Sequence, residues 1–251
     1  MAKNIVICGL HSVQAYLDRH PEGILEVFLL KGRDDERMNK LVKGLRPLGV
    51  TLQWRERGQL DELAGDAHHQ GAVARVREQA PGDENDLVVF LDGLEAPPFL
   101  LLLDGVTDPH NLGACLRSAD AAGIHAVITP RDKSASITPV VRKVAVGAAD
   151  SMPFFQVTNL ARTMEMLKER GIWLMGTALE EEAKSLYDVA LTGPIGIIMG
   201  AEGSGMRRLT RELCDVLLYI PMGGSVESLN VSVATGVTLF EAMRQRTRLK
   251  S

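Results

Sequence analysis

The sequence predicts an α/β protein: a compact α/β unit at the amino terminus, then a larger domain whose mostly parallel sheet is covered by helices on both faces. Three observations predict it. Short β-branched runs alternate with helical patterns along most of the 251 residues. The run Phe99–Leu103 is apolar throughout, as strands buried on both faces are. A Pro/Gly/acidic stretch, Gln79-Ala-Pro-Gly-Asp-Glu-Asn-Asp, divides the pattern in two.

In the first unit (residues 1–76), Ile5–Cys8, Ile24–Leu30, Val50–Trp54 and Ala72–Val76 read as strands from their β-branched content. His11–Arg19, Asp34–Leu45 and Gly58–Ala64 read as helices. Residues 77–96 form a linker. Within it, Leu87-Val-Val-Phe-Leu is too apolar to float free, and Asp83 can cap a short helix that docks onto the next domain.

The pattern restarts over 97–251. After the strand Phe99–Leu103 comes a helix over Leu112–Ala122, with Leu112, Cys115, Leu116, Ala119 and Ala122 at helical spacing. Strands follow at Ala126–Thr129, Phe154–Val157, Ile172–Thr177, Ile195–Met199 and Val216–Ile220. Helices alternate with them at Thr138–Ala148, Leu160–Arg170 and Met206–Leu213. A long last helix is small or apolar on nearly every face, which predicts burial. Strict alternation of this kind gives a parallel sheet.

Composition narrows the function classes. A net charge of −4 and a pI near 5.9 argue against a protein that coats DNA. Residues 1–75 carry 11 Lys+Arg against 10 Asp+Glu, leaving 17 against 22 for the remainder. Nucleic-acid binding is therefore expected only as a local patch. Cys8, Cys115 and Cys214 lie far apart, which suits a reducing cytosol and argues against zinc. No segment has the length of a membrane span, and Ile5–Cys8 is too short for a signal peptide. A soluble, cytoplasmic protein is expected. The basic tail (Arg244, Arg246, Arg248, Lys250) reads as a solvated helix end or an RNA contact.

Three segments at strand ends carry the chemistry, where ligands bind in open parallel sheets. The first, Asp104 to Ala119, offers a turn at Asp108-Pro109, a helix cap at Asn111 and Arg117 opposite the apolar stripe. His110 reads as a turn residue. The second, Met199-Gly-Ala-Glu-Gly-Ser-Gly-Met, places Gly200, Gly203 and Gly205 in the order G-x-x-G-x-G, which is not the dinucleotide fingerprint. Glu202 would also repel a pyrophosphate, so a nicotinamide cofactor is not expected. The third runs from Ile220-Pro-Met-Gly-Gly to Ser228-Leu-Asn-Val-Ser, where Ser228 and Asn230 meet the start of the last helix. Each has a plainer account: a capped helix with a solvated Arg, a tight turn with a surface Glu, a Ser228 cap. Their joint occurrence points to one ligand site.

Asn111 with Arg117, the Gly200-Ala-Glu-Gly loop, and Ile220-Pro-Met with Ser228-Leu-Asn-Val-Ser-Val-Ala resemble the three motifs of SpoU/TrmH-type RNA ribose methyltransferases of the SPOUT superfamily. The resemblance covers residues 97–246. The front region, ending His69-Gln-Gly-Ala-Val-Ala, resembles the L30e-like RNA-binding domain of many members. It implies a SPOUT-type domain whose carboxy-terminal chain threads through a loop into a trefoil knot that holds S-adenosylmethionine. Periodicity alone suggests an ordinary open sheet, because threaded chains are rare. The resemblance further implies donor contacts at Gly200, Ile220, Met222, Leu229, Thr177 and Ala178, with no metal.

Asn111, Arg117, Glu202, Ser228 and Asn230 would serve catalysis. Arg117 would either accept the ribose proton or clamp the phosphate beside the target; both remain open, since a guanidinium loses its proton only above about pH 12. Asn111 would fix Arg117 or the ribose, Glu202 would orient backbone or target nucleotide, and Ser228 and Asn230 would order the donor loop and acceptor hydroxyl. The resemblance also implies a homodimer. The whole chain is most similar to members that methylate the 2′-oxygen of a guanosine in the P-site loop of 23S rRNA, free or in a ribosome assembly intermediate. Alternatives are another rRNA site, a tRNA, or a non-catalytic RNA-binding assembly factor.

Overall fold

The computed structural model describes residues 4–65 and 67–248; Lys250, the last cation of the basic tail, lies outside them. The described residues form two compact units, one running to residue 80 and including 146–151, the other made of residues 81–145 and those from 152 onward.

In the first unit, β1 (Asn4–Cys8), α1 (Leu10–Arg19), β2 (Ile24–Leu30), α2 (Glu36–Leu45), β3 (Thr51–Arg55), α3 (Arg57–Ala64) and β4 (Ala72–Arg77) follow one another. The sheet order is β1-β4-β2-β3, with β4 antiparallel to both neighbours and β2 parallel to β3. Strand alternation sorts the two cores. Val27 and Leu29 of β2, with Ala72, Ala74 and Val76 of β4, join Val13, Leu17, Met38, Leu41 and Leu45 of α1 and α2. Phe28 and Val73 point the other way, onto Leu60 of α3. Helix α2 begins two residues later than the sequence suggests, because Asp35 is the residue whose carboxylate accepts from the Arg37 and Met38 amides, both at 3.1 Å.

The second unit opens with α4 (Glu84–Asp92). Asp83 accepts from the amides of Asn85 and Asp86 at 2.8 and 3.0 Å, and Asp86 accepts from Asp83 at 2.9 Å, a reciprocal cap. Leu87 and Leu91 are buried, so the segment docks as its apolar content demands. Then come β5 (Phe99–Asp104), α5 (Pro109–Ala121), β6 (Ala126–Pro130), α6 (Pro139–Ala145), α7 (Ala148–Ser151, within the first unit), β7 (Phe154–Val157), α8 (Leu160–Glu169), β8 (Trp173–Thr177), β9 (Lys184–Ser185), β10 (Ile195–Gly200), α9 (Arg208–Leu213), β11 (Val216–Tyr219) and α10 (Val231–Arg248).

The seven strands lie in the order β7-β6-β5-β10-β8-β11-β9, and every pairing is parallel. Leu100 to Leu103 of β5 are fully buried, each contributing about 2 kcal/mol relative to exposure. Because β5, β10, β8 and β11 are consecutive in the sheet, the loops leaving their carboxyl ends crowd one stretch of its edge. That placement gathers the three motif segments.

Three expectations are corrected. The single helix over Thr138–Ala148 is broken in two at Val146 (φ 50°) and Gly147 (φ 92°), left-handed values that no continuous helix tolerates. The last helix is buried along one stripe only, through Val231, Thr235, Thr238, Leu239 and Ala242; Val233 and Phe240 are exposed. Arg246 is not a free, fully solvated helix end; it is half-buried and already engaged. Its guanidinium lies 4.6 Å from the centre of the Phe99 ring and donates to the Gly193 and Pro97 carbonyls.

Candidate active site

The Gly-rich segment after β10 folds back on itself. Ala201 and Gly205 exchange both backbone hydrogen bonds, at 3.0 and 2.9 Å, while Gly203 (φ 80°) and Gly205 (φ 65°) take the left-handed turn. Gly200 allows the closure. A Cβ there would lie 2.3 Å from the Gly205 carbonyl carbon and from the Met206 nitrogen. Asp104, buried at the end of β5, anchors the far side by accepting from the Arg207 amide at 2.8 Å. Its other oxygen lies 3.4 Å from the Arg207 guanidinium, without hydrogen-bond geometry.

Glu202 is thereby held at the tip of a rigid turn. It is not a lone surface carboxylate. Its Oε2 accepts from Asn111 Nδ2 at 3.1 Å and from Asn230 Nδ2 at 3.4 Å, and Asn230 Nδ2 also donates to Asn111 Oδ1 at 3.0 Å. The helix caps explain why both amides point there. Asp108, not Asn111, caps α5, accepting from the His110 and Asn111 amides at 3.1 and 3.3 Å, which leaves the side chain of Asn111, three positions further on, free for other partners. Asn230, not Ser228, caps α10: its Oδ1 accepts from the Ser232 amide at 2.9 Å and hydroxyl at 2.6 Å, so its amide nitrogen faces outward. Residues 91 and 119 positions apart thus close one polar triangle.

Beside it lies a cavity of about 580 Å³. Nine of the eleven residues expected at the site line it: Gly200, Glu202, Ile220, Met222, Ser228, Leu229, Asn230, Thr177 and Ala178. Asn111 is joined to it through Glu202 and Asn230. Arg117 is not part of it. Six residues beyond Asn111, it sits about a third of a turn round α5 and about 9 Å along it. It is exposed, and its side chain makes no hydrogen bond or ion pair among the described residues. His110, also exposed, contributes only its backbone amide to the Asp108 cap.

The cavity suits a nucleoside-like ligand. Among the described residues, 220–229 make no backbone–backbone hydrogen bond, so the amides and carbonyls of Ile220, Met222, Glu227, Ser228 and Leu229, which line the cavity, are available at its wall. Ile220, Met222, Leu218 and Leu229 supply apolar surface, and Glu202 and Glu227 negative charge. Sequence reasoning missed Glu227, the Glu180–Arg211 ion pair (2.7 Å) that closes one side, and Asp104. Only Asp104 carried a signal: a carboxylate ending an otherwise apolar strand.

No thiol is available as a base. Burial pushes the Cys115 thiol up to about 11, and burial followed by the Asp215 charge pushes Cys214 up to about 12. At pH 7 the thiolate fractions are on the order of one in 10⁴ and one in 10⁵. Iodoacetamide at pH 7 is therefore expected to leave both unmodified until denaturant is added, as peptide mass spectrometry would read. Rapid native alkylation of either would contradict the packing.

Residues 98–240 match the SpoU rRNA Methylase family, and residues 6–81 match RNA 2′-O ribose methyltransferase substrate binding. The chain is 60% identical over 241 residues to the 23S rRNA (guanosine-2′-O-)-methyltransferase RlmB of Pectobacterium atrosepticum, covering 96% of this chain and 98% of the relative. It is 58% identical to the protein of that name from Escherichia coli K12, covering 96% and 99%. Among solved structures, the SpoU methyltransferase AviRb from Streptomyces viridochromogenes, in complex with AdoMet, aligns at TM-score 0.72 over 99% of this chain and 92% of that one. At 24% identity that likeness is one of fold.

Proposed function

The chain belongs to the SpoU rRNA methylase family, and from that premise we propose that it transfers a methyl group from S-adenosylmethionine to the ribose 2′-oxygen of a guanosine in the P-site loop of 23S rRNA. The observation that carries the reading is the Asn111–Glu202–Asn230 triangle closed at the rim of the cavity after β10.

The donor supplies an activated methyl group; everything else falls to the chain. The free backbone groups of Ile220, Met222 and Leu229 hold adenine and ribose, with Thr177, Ala178 and Gly200 completing the wall. The acceptor hydroxyl must be placed in line and relieved of its proton. Asn111 and Asn230 fix Glu202 through one oxygen, which leaves Oε1 free to orient the target nucleotide. Ser228 orders the loop in front of the Asn230 cap. Arg117 acts on the acceptor, as proton acceptor or phosphate clamp; its exposure favours the clamp, because a hydrated guanidinium keeps its charge.

The knot belongs to the same proposal, supported by the packing of α10 on both α5 and β10. So does a homodimer that covers Val233 and Phe240, seven positions apart on one face of α10 and both exposed; a monomeric mass by light scattering would refute it. No described helix is long and apolar enough to cross a membrane, in keeping with a cytoplasmic enzyme acting on rRNA or a ribosome assembly intermediate.

Mapping 2′-O-methyl marks on 23S rRNA from cells lacking the protein tests the activity. One P-site-loop guanosine is expected to lose its mark and regain it on complementation. Loss of a mark elsewhere, or on tRNA, would reassign the substrate. S-adenosylmethionine, not NAD, is expected to raise the melting temperature.

A further inference from the structure

The first unit contains a second cavity, of about 690 Å³, lined by Leu10, His11, Gln14, Arg33, Arg37, Lys40 and Gln70. It lies at the sheet edge where β1 and β2 end and β4 begins, since Cys8 pairs with Val73 and Leu29 with Ala72. Its lining holds three cations and no carboxylate. Arg37 and Lys40, three apart on α2, share a face, and neither side chain forms an ion pair or hydrogen bond among the described residues. His11 and Gln14 face the cavity from α1 at the same spacing. Gln14 is tied to Asp18 through its amide nitrogen at 2.7 Å, which leaves its oxygen free.

The cavity is built, not incidental. Arg33 is pinned between the Asp35 carboxylate and the Gln70 carbonyl. Gly71 (φ 80°) lets the Arg33 side chain lie against its backbone, where a Cβ would come within 3.1 Å of Nη1. Gln70 is held at φ 45°, a left-handed value costly for a residue other than glycine. The buried His69 fixes this strap: Nδ1 accepts from the Gly71 amide at 2.9 Å, so Nε2 carries the proton and donates to Asp61 at 2.9 Å. Arg33 is already met by Asp35, but Arg37 and Lys40 stand beside a preformed hollow as like charges that oppose one another unless an anion joins them. The hollow is too large for a bare phosphate and within the range of small-molecule sites.

We infer that this cavity takes one unstacked nucleotide of the RNA substrate, with its phosphate on Arg37 and Lys40 and its base or sugar edge against His11, Gln14 and Gln70. The inference rests on the methyltransferase reading and deepens it, since every lining residue falls within the stretch that matches the substrate-binding family. Folded RNA is read in this way, through splayed bases and backbone charge.

Filter binding of the full-length protein to deproteinised 23S rRNA, between about 50 and 200 mM salt, tests it. The Arg37→Ala/Lys40→Ala double variant is expected to bind about tenfold or more weakly, with a slope of log affinity against log salt shallower by about 1.4. Gln14→Ala should weaken binding with the slope unchanged, and Arg57→Ala, on α3, should change neither. In methylation assays the double variant should raise KM for rRNA and keep kcat, while calorimetry shows wild-type donor affinity. Wild-type affinity, slope and KM in the double variant would overturn the inference alone. Polyglutamate that displaces rRNA from the wild type, and fails to bind the double variant, would assign the cavity to an acidic protein segment instead. A wild-type protein that neither binds the donor nor methylates rRNA would instead sink the underlying reading.

Discussion

Gly200→Ala is expected to lose S-adenosylmethionine binding by at least about 100-fold, near 2.7 kcal/mol. The new Cβ would sit 2.3 Å from two backbone atoms of Gly205 and Met206. Backbone has no rotamer by which to yield, so the Ala201–Gly205 hairpin must open. Opening it moves Glu202 away from Asn111 and Asn230 and displaces the wall on which the donor rests. Overpacking of this kind costs about 1–3 kcal/mol of stability, a loss that a domain buried as this one is should survive. Calorimetry on the folded variant reads the affinity, and circular dichroism confirms that it is folded. A folded variant with wild-type donor affinity would remove the Gly-rich turn from the site.

Period and composition made the elements of this protein legible, because strand and helix are local facts. The run Ile24–Leu30 needed only its β-branched content, and the cap at Asp83 only its place before an apolar stretch. Caps within a run of candidates were harder. Asp108 precedes Asn111 by three residues, and Ser228 precedes Asn230 by two; both pairs contain two good capping side chains, and the helix start that chooses between them is set by packing. The break at Val146 and Gly147 was hidden because a β-branched residue with positive φ contradicts every local preference. The two-residue β9 is too short to carry a period. The antiparallel setting of β4 in the first sheet, and the insertion of β10 between β5 and β8 in the second, are long-range choices that alternation alone leaves open.

The site divides along the same line. Its motif residues were readable through a resemblance, and its closure was not. The Asn111–Glu202–Asn230 triangle joins three helix or turn ends whose meeting depends on the order β5-β10-β8-β11. The Glu180–Arg211 pair and Glu227 occupy positions with no distinguishing pattern, and their part emerges only from the shape of the cavity.

Arg117→Ala is expected to cut methyl transfer to rRNA by about 10²–10⁴-fold, the usual worth of a proton-transfer group, while donor affinity stays at the wild-type value. The second half follows from position: Arg117 lines no part of the donor cavity and has no partner among the described residues whose loss could disturb it. The kinetic split then separates its two roles. A phosphate clamp binds in ground and transition states alike, so its loss raises KM, and Arg117→Lys, which keeps the charge but not the fork, recovers part of the activity. A proton acceptor works only in the transition state, so its loss lowers kcat, and the lysine variant shifts the pH–rate profile to the pKa of its new amine. Single-turnover rates across pH, with donor affinity measured in parallel by calorimetry, distinguish the two. Lost donor affinity in either variant would exclude both roles, because a residue outside the cavity would then be shaping it.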